Sequence, residues 1–260
     1  MGSTLTSLIY ASFTFLLFAI EATIMSLALA MLFDIPLAIA HLFSSLIVIP
    51  IALYGVSLIS KMQIVTQPIW LVLQFLPILY LAWKAPDELH AWTDYAGQHG
   101  RADGSVDFML FGLAASMLLS LLPQIGEQVD YLRFLPNRTR KNRIAWWTAV
   151  IGTGPGWVVL GAFKILAGSF LAFLAIRHGI PAAQADEPTE MYLLAFRETV
   201  SSPTLALVPT GIFVIVCQLK INVTNAYAGS IAWSNFFSRL THSHPGRVVW
   251  LVFNVLLALL

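Results

Sequence analysis

The sequence predicts an all-α polytopic membrane protein. Of its 260 residues, 58% are hydrophobic and only 10% are charged, and the mean hydropathy is +0.79. Soluble domains carry roughly 25% charged residues, so a chain this apolar is expected to lie mostly in lipid. The net charge of +1 argues against a nucleic-acid-binding surface. The single cysteine, Cys217, leaves too few thiols for a disulfide or a cysteine metal site.

Seven apolar segments are candidate transmembrane helices. Crossing a hydrocarbon core takes about 20 helical residues, so we expect the longer first, fifth and sixth segments to tilt, break or protrude. The chain stops within the seventh segment, which predicts that residues 1–260 form a single transmembrane domain, incomplete at its C-terminus. The segments are Leu5–Phe33, Leu37–Ile59, Ile64–Trp83, Phe108–Leu122, Ile144–Ile176, Leu205–Asn235 and Val248–Leu260.

Charged residues in the loops predict the orientation of the bundle. The connections Lys84–Asp107 and Arg177–Ser202 are net acidic, whereas the loop after the fourth segment is basic. Basic loops stay in the cytoplasm, so the N-terminus is predicted to be cytoplasmic. We therefore expect a multi-pass protein of the cell inner membrane. The basic residues are Arg133, Arg138, Arg140, Lys141 and Arg143.

The sixth segment carries polar residues where a simple membrane helix would be apolar. A lysine at the bilayer centre costs roughly 3 kcal/mol even on the lenient insertion scale. Such residues are tolerated where they face a bundle interior or a water-filled cavity, so this helix is predicted to line a site or a path. The polar residues are Gln218, Lys220, Asn222, Thr224, Asn225 and Ser230.

Glu21 is an acid in the middle of the first segment. Helical spacing places Phe18 and Met25 on the same face. Intramembrane acids usually mark a substrate or proton path, so we favour a solute or proton contact for Glu21, together with Phe18. The alternative is a protonated carboxyl group that only bonds a neighbouring helix.

The fourth segment ends in PQIGEQVDYLRF. Its proline and glycine predict a helix break at which freed backbone groups can face a ligand. Gln124 and Glu127 are therefore candidate binding residues, and Asp130 is spaced to pair with Arg133. An ordinary polar exit into the basic loop is the alternative.

Catalytic and phosphate-binding motifs do not emerge from the sequence. It contains no nucleophile–base arrangement and no HExxH, so neither an enzyme nor a metal site is predicted. GTGPG at Gly152–Gly156 lacks the Lys-Ser/Thr ending of a phosphate loop and lies in an apolar run. It is predicted to be a helix kink or a close-packing patch.

Two motifs resemble those of the nucleobase:cation symporter-1 family, which includes the purine–cytosine permeases. DYLRF at Asp130–Phe134 is similar to the family's exit from its sixth helix. NVTNAYAGSIAWSN at Asn222–Asn235 is similar to its eighth helix, where an Asn contacts the substrate. The family has twelve helices in a LeuT-type inverted repeat. The resemblance thus implies that this chain covers helices three to nine and is also incomplete at its N-terminus.

The resemblance also implies roles for individual residues. The substrate-contacting Asn corresponds to Asn225, and a Gln of the third helix corresponds to Glu21. The small or hydroxyl pair that helps bind sodium corresponds to Leu219 and Lys220. An ammonium group there occupies a cation's place, so Na⁺ coupling is not expected and proton coupling stays open. Lys220 and Thr224 are the candidate ion-coupling residues, and no other cofactor is expected.

The predicted function is a secondary transporter for a nucleobase-like or other small nitrogenous solute. The solute would bind near the bilayer midplane, as in inverted-repeat transporters. The alternative is a transporter-like ligand-sensing module of a larger signalling protein, such as a sensor histidine kinase, with a cytoplasmic signalling domain beyond this chain. The expected partners are a small-molecule solute and the lipid bilayer, and not nucleic acid.

Overall fold

The computed structural model describes residues 2–97, 105–120, 128–129, 131–200, 202–242 and 244–260, and this part of the chain is helical without a strand. Its helices are α1 (Gly2–Phe33), α2 (Leu37–Leu46), α3 (Val48–Leu53), α4 (Val56–Lys84), α5 (Pro86–Thr93), α6 (Phe108–Ser120), α7 (Arg143–Thr153), α8 (Gly156–Arg177), α9 (Pro188–Thr199), α10 (Pro203–Thr241) and α11 (Arg247–Leu259).

Four of the described helices are long and apolar enough to cross a membrane. They are α1, α4, α10 and the part of α8 from Val158 to Arg177. Leu37–Leu53 and Arg247–Leu259 are apolar but shorter. These helices indicate a helical membrane protein, whereas the expectation of seven spans is not confirmed.

The second predicted segment is not one helix, because α2 ends at Leu46 and α3 ends at Leu53. Pro50 lacks an N–H group, and its ring crowds the carbonyl four residues earlier, which is that of Leu46. Gly55 then adopts a φ of +72° and leads the chain into α4. Hydropathy alone does not reveal such interruptions.

The fifth predicted segment is also divided. α7 ends at Thr153 and α8 begins at Gly156, so the break falls within GTGPG. This agrees with the kink predicted there. The sixth predicted segment, by contrast, is one uninterrupted helix of 39 residues, α10.

The helices form two compact units, Met1–Leu81 with Ala175–Leu260, and Ala82–Leu174. Inside the second unit, Trp92 packs edge-on against Phe170 at 5.7 Å between ring centres. The first unit contains α10, which packs against α1, α3, α9 and α11. The predicted polar residues of α1 and α10 therefore belong to one compact unit.

Two glycines of α10 show how closely it approaches α1. A Cβ atom on Gly211 would lie 2.1 Å from Leu32 Cδ1, and one on Gly229 would lie 2.7 Å from Thr14 Oγ1. Small residues at such contacts allow membrane helices to pack closely. The buried residues of α1 recur at helical spacing along this side and include Ala11, Thr14, Phe18, Ala22, Met25 and Leu29.

The same contacts fix the register of an antiparallel pair. The stretch between the two glycines of α10 has the same length as the stretch between their partners on α1. Since both helices rise equally per residue, Phe18 stands at the level of Asn225 and Glu21 at the level of Asn222. The register thus aligns the predicted site residues of the two helices.

Gly211→Ala should destabilise the protein by about 1–3 kcal/mol, because the added methyl group enters the volume of the Leu32 side chain. Leu32→Ala in the same protein should recover part of that loss. Thermal unfolding of the two single variants and the double variant would give the coupling energy.

Gly168→Ala is the matched control, since a Cβ there meets no atom within 4 Å. If the stability changes of Gly211→Ala and Leu32→Ala simply add, the two residues are not in contact, and the register of α1 and α10 is wrong.

Arg247, the first residue of α11, joins three elements at one end of this unit. Its guanidinium group donates to the Leu53 carbonyl at 2.9 Å and lies 4.7 Å from the centre of the Tyr227 ring. A Cβ on Gly55 would lie only 3.4 Å from Arg247 Nη2. The end of α3, the middle of α10 and the start of α11 therefore meet around one side chain.

Candidate functional site

Asn222 and Asn225 are buried amides on the face of α10 that meets α1. They are 0% and 1% exposed, and neither atom of either carboxamide has a hydrogen-bond partner in the described part of the chain. Gln218, one turn earlier, is also buried, and its Oε1 is unpartnered as well. An unsatisfied buried polar group costs about 1–3 kcal/mol. Three amides with unpartnered atoms therefore share one face of α10.

On α1, an aromatic residue and an acid stand at the levels of the two asparagines. Phe18 is fully buried at the level of Asn225. Glu21 is partly buried at the level of Asn222. The structure thus aligns four of the predicted binding residues, and their role in binding stays a prediction.

Lys220 lies on a different face of α10 and is 9% exposed. Its Nζ donates to Gln67 Oε1 at 2.7 Å and to the Gln63 carbonyl at 3.5 Å, and it lies 5.9 Å from the centre of the Trp70 ring. Gln63 Nε2 in turn donates to the Lys220 carbonyl at 3.3 Å. Polar groups of α4 therefore accept the hydrogen bonds of the Lys220 ammonium group.

The predictions from the sequence did not include these partners on α4. Gln63, Gln67 and Trp70 recur at i, i+4 and i+7, and this spacing placed them on one helix face. Thr224, the other predicted ion-coupling residue, is partly buried, and its hydroxyl group donates to the Ile221 carbonyl at 2.6 Å. That hydrogen bond stays within α10.

Of the remaining predicted residues, only Arg133 falls within the described part of the chain. Gln124, Glu127 and Asp130 fall outside the described residues, as does the predicted helix break. Arg133 is exposed, and its guanidinium carbon lies 5.0 Å from the centre of the Phe134 ring. The Asp130–Arg133 ion pair therefore stays a prediction.

A buried hydroxyl cluster between α1 and α2 was also missed. Ser26 Oγ lies 3.2 Å from Ser44 Oγ and 3.4 Å from His41 Nδ1. Both serines are fully buried. Histidines in membrane segments are rare, so His41 in its apolar segment was the available signal.

Gln74 and Tyr192 attach α9 to α4. The Gln74 amide donates to the Tyr192 hydroxyl group, and the Tyr192 ring lies 4.1 Å from that of Phe213. Burial raises the pKa of the Tyr192 phenol, so this group stays protonated. Gln74 is a buried amide with a partner, which sets it apart from Asn222 and Asn225.

Comparisons with family models, with curated proteins and with solved structures gave no match. The likeness to the nucleobase:cation symporter-1 family thus rests on the two short motifs, and the LeuT-type fold stays a prediction. The described residues contain no group of three or more His, Cys, Asp or Glu that could hold a metal ion. The fold and the site together define a helical membrane protein whose first unit buries amides that have no partner among the described residues.

Proposed function

We propose that this chain is the solute-binding part of a secondary transporter for a nucleobase-like or other small nitrogenous solute. The observation that carries the proposal is the pair of buried, unpartnered carboxamides of Asn222 and Asn225. Each carboxamide offers two donors and one acceptor oxygen. Two of them, one turn apart, complement a flat solute that carries donors and acceptors along its edge.

The position of the amides supports transport. Asn222 stands at the middle of α10, and transporter sites lie near the bilayer midplane. Phe18 adds an aromatic surface for the face of a ring, at the level of Asn225. Because the amides are enclosed, a solute reaches them only when neighbouring helices separate. Such a separation is what alternating access requires.

Equilibrium binding to the purified full-length protein tests the proposal. The probes are uracil, cytosine, adenine and hydantoin, and glucose is the control without an amide edge. We expect saturable binding of at least one heterocycle, and uptake of the same compound into protein-containing vesicles. Binding without uptake would support the ligand-sensing alternative. Failure of all four heterocycles to bind would contradict the proposal.

A further inference from the structure

Two more buried donors without an acceptor lie on α11. They are Asn254 Nδ2 and Trp250 Nε1, and neither has a hydrogen-bond partner within the described ranges. The two residues are four positions apart, so they lie on the same helix face, with their Cβ atoms about 5–6 Å apart. Asn254 is 0% exposed.

The orientation of the Asn254 amide is set by Trp233 on α10. The Trp233 indole Nε1 donates to Asn254 Oδ1 at 3.0 Å. Oδ1 is therefore the acceptor of this amide, and Nδ2 is its available donor. Since an amide nitrogen and an indole nitrogen only donate, the two orphaned groups both require acceptor atoms.

Aromatic rings surround the two donors. The Trp250 ring stacks on Phe237 at 4.4 Å with 6° between the planes, and it meets Phe253 edge-on at 5.8 Å. Phe253 in turn lies edge-on against Trp233 at 5.2 Å. These rings fix the indole and supply flat apolar surface, but no strong acceptor.

Asn254 lies one turn beyond the amides of α10, and Trp250 lies further in the same direction, where its ring stacks on Phe237. A Cβ on Gly229 would lie 2.5 Å from Asn254 Oδ1, which places Asn254 at the level of Gly229. Gly229 follows Asn225 by four residues, towards the end of α10 that carries Arg239. That end is the one predicted to face the cytoplasm. Unpartnered polar atoms thus continue from the amides towards one membrane face.

We propose that Trp250 and Asn254 form a second solute subsite, on the predicted cytoplasmic side of Asn222 and Asn225, that binds carbonyl oxygens. This inference rests on the proposed function and assigns the exit side of the same path. Both donors are neutral, so they suit a neutral carbonyl compound rather than an amine. A pyrimidinedione such as uracil carries two carbonyl oxygens, whereas adenine carries none.

Transport of these two probes by the full-length protein tests the subsite. Asn254→Leu removes the Nδ2 donor together with the oxygen that accepts from Trp233, and Trp250→Phe removes the other donor. Each variant should lower the uracil transport rate about tenfold, the effect of one hydrogen bond of about 1.4 kcal/mol, and leave adenine transport unchanged. Trp83→Phe, at a residue 79% exposed, is the control and should leave both unchanged. Equal losses for uracil and adenine, or no loss at all, would overturn the subsite.

A second measurement separates this inference from the proposed function. If neither uracil nor adenine binds the wild type, the proposed function fails for nucleobases. The subsite is then tested by asking whether position 254 can be reached from water. In a Cys217→Ala background, Asn254→Cys should react with a charged methanethiosulfonate reagent added from the cytoplasmic side. A thiol that stays unreactive would overturn the subsite. The thiol can also be unreactive because lipid covers the donors. In that case the wild type should lose stability when ether lipids, which lack carbonyl groups, replace ester lipids, and Trp250 and Asn254 bind lipid carbonyls instead of a solute.

Discussion

Replacing Asn222 and Asn225 together by leucine should strongly weaken solute binding and at the same time raise the unfolding temperature. Leucine has nearly the shape of asparagine, so the helix contacts can persist. Each substitution removes a buried carboxamide without a partner, and such a group costs about 1–3 kcal/mol. Loss of the hydrogen bonds to the solute should lower its affinity by about a hundredfold or more. Thermal unfolding and equilibrium binding on the same preparation measure both effects.

Gln74→Leu is the matched control for this experiment. Gln74 is also a buried amide, but it donates to Tyr192. Its removal should therefore lower the unfolding temperature and leave solute affinity nearly unchanged. If the double leucine variant loses stability as Gln74→Leu does, Asn222 and Asn225 are structural groups, and the proposed site is wrong.

Solute binding should not depend on Na⁺ when the ionic strength is held constant. The Lys220 ammonium group is held inside the bundle by Gln67 and the Gln63 carbonyl. A unit charge there would repel a sodium ion 4 Å away by about 4 kcal/mol at an effective dielectric constant of 20. That energy corresponds to about a thousandfold loss of sodium affinity. Binding titrations in sodium and in choline chloride would measure the dependence.

Variants at the lysine and at its partner separate the charge from the packing. Lys220→Thr should weaken solute binding or introduce a dependence on Na⁺, because it removes the fixed charge. Gln67→Leu keeps the lysine and should leave binding independent of Na⁺. The hypothesis that the Lys220 charge replaces a coupling cation is wrong if the wild-type affinity for the solute rises steeply with Na⁺ and Lys220→Thr does not change that rise.

The sequence predicted the long helices well, because length and apolar composition are local properties. α1 appears as a continuous apolar run and α10 as a long apolar run with polar residues in it, and the structure forms both helices. The break between α2 and α3 was missed, although Pro50 marked it, because a hydropathy average does not respond to a single missing N–H group. The predicted count of seven spans depended on that average.

The candidate site was predictable only in part. Polar residues in an apolar helix are visible in the sequence, so Asn222 and Asn225 stood out. Their level relative to Phe18 depends on how α1 and α10 pack, and no local pattern specifies the register of two distant helices. The position of Asn254 was not predictable for the same reason, since its contacts with Trp233 and Gly229 place it beside α10.

The contacts of Arg247 with Leu53 and Tyr227 affect how the stability of the protein depends on salt. The guanidinium group is satisfied by a carbonyl oxygen and an aromatic face rather than by a carboxylate. Ion pairs between exposed side chains weaken as salt rises, whereas a cation packed between a peptide dipole and a ring is less exposed to screening. The contacts of Arg247 with Leu53 and Tyr227 should therefore weaken less with rising salt than an ion pair in the same place would.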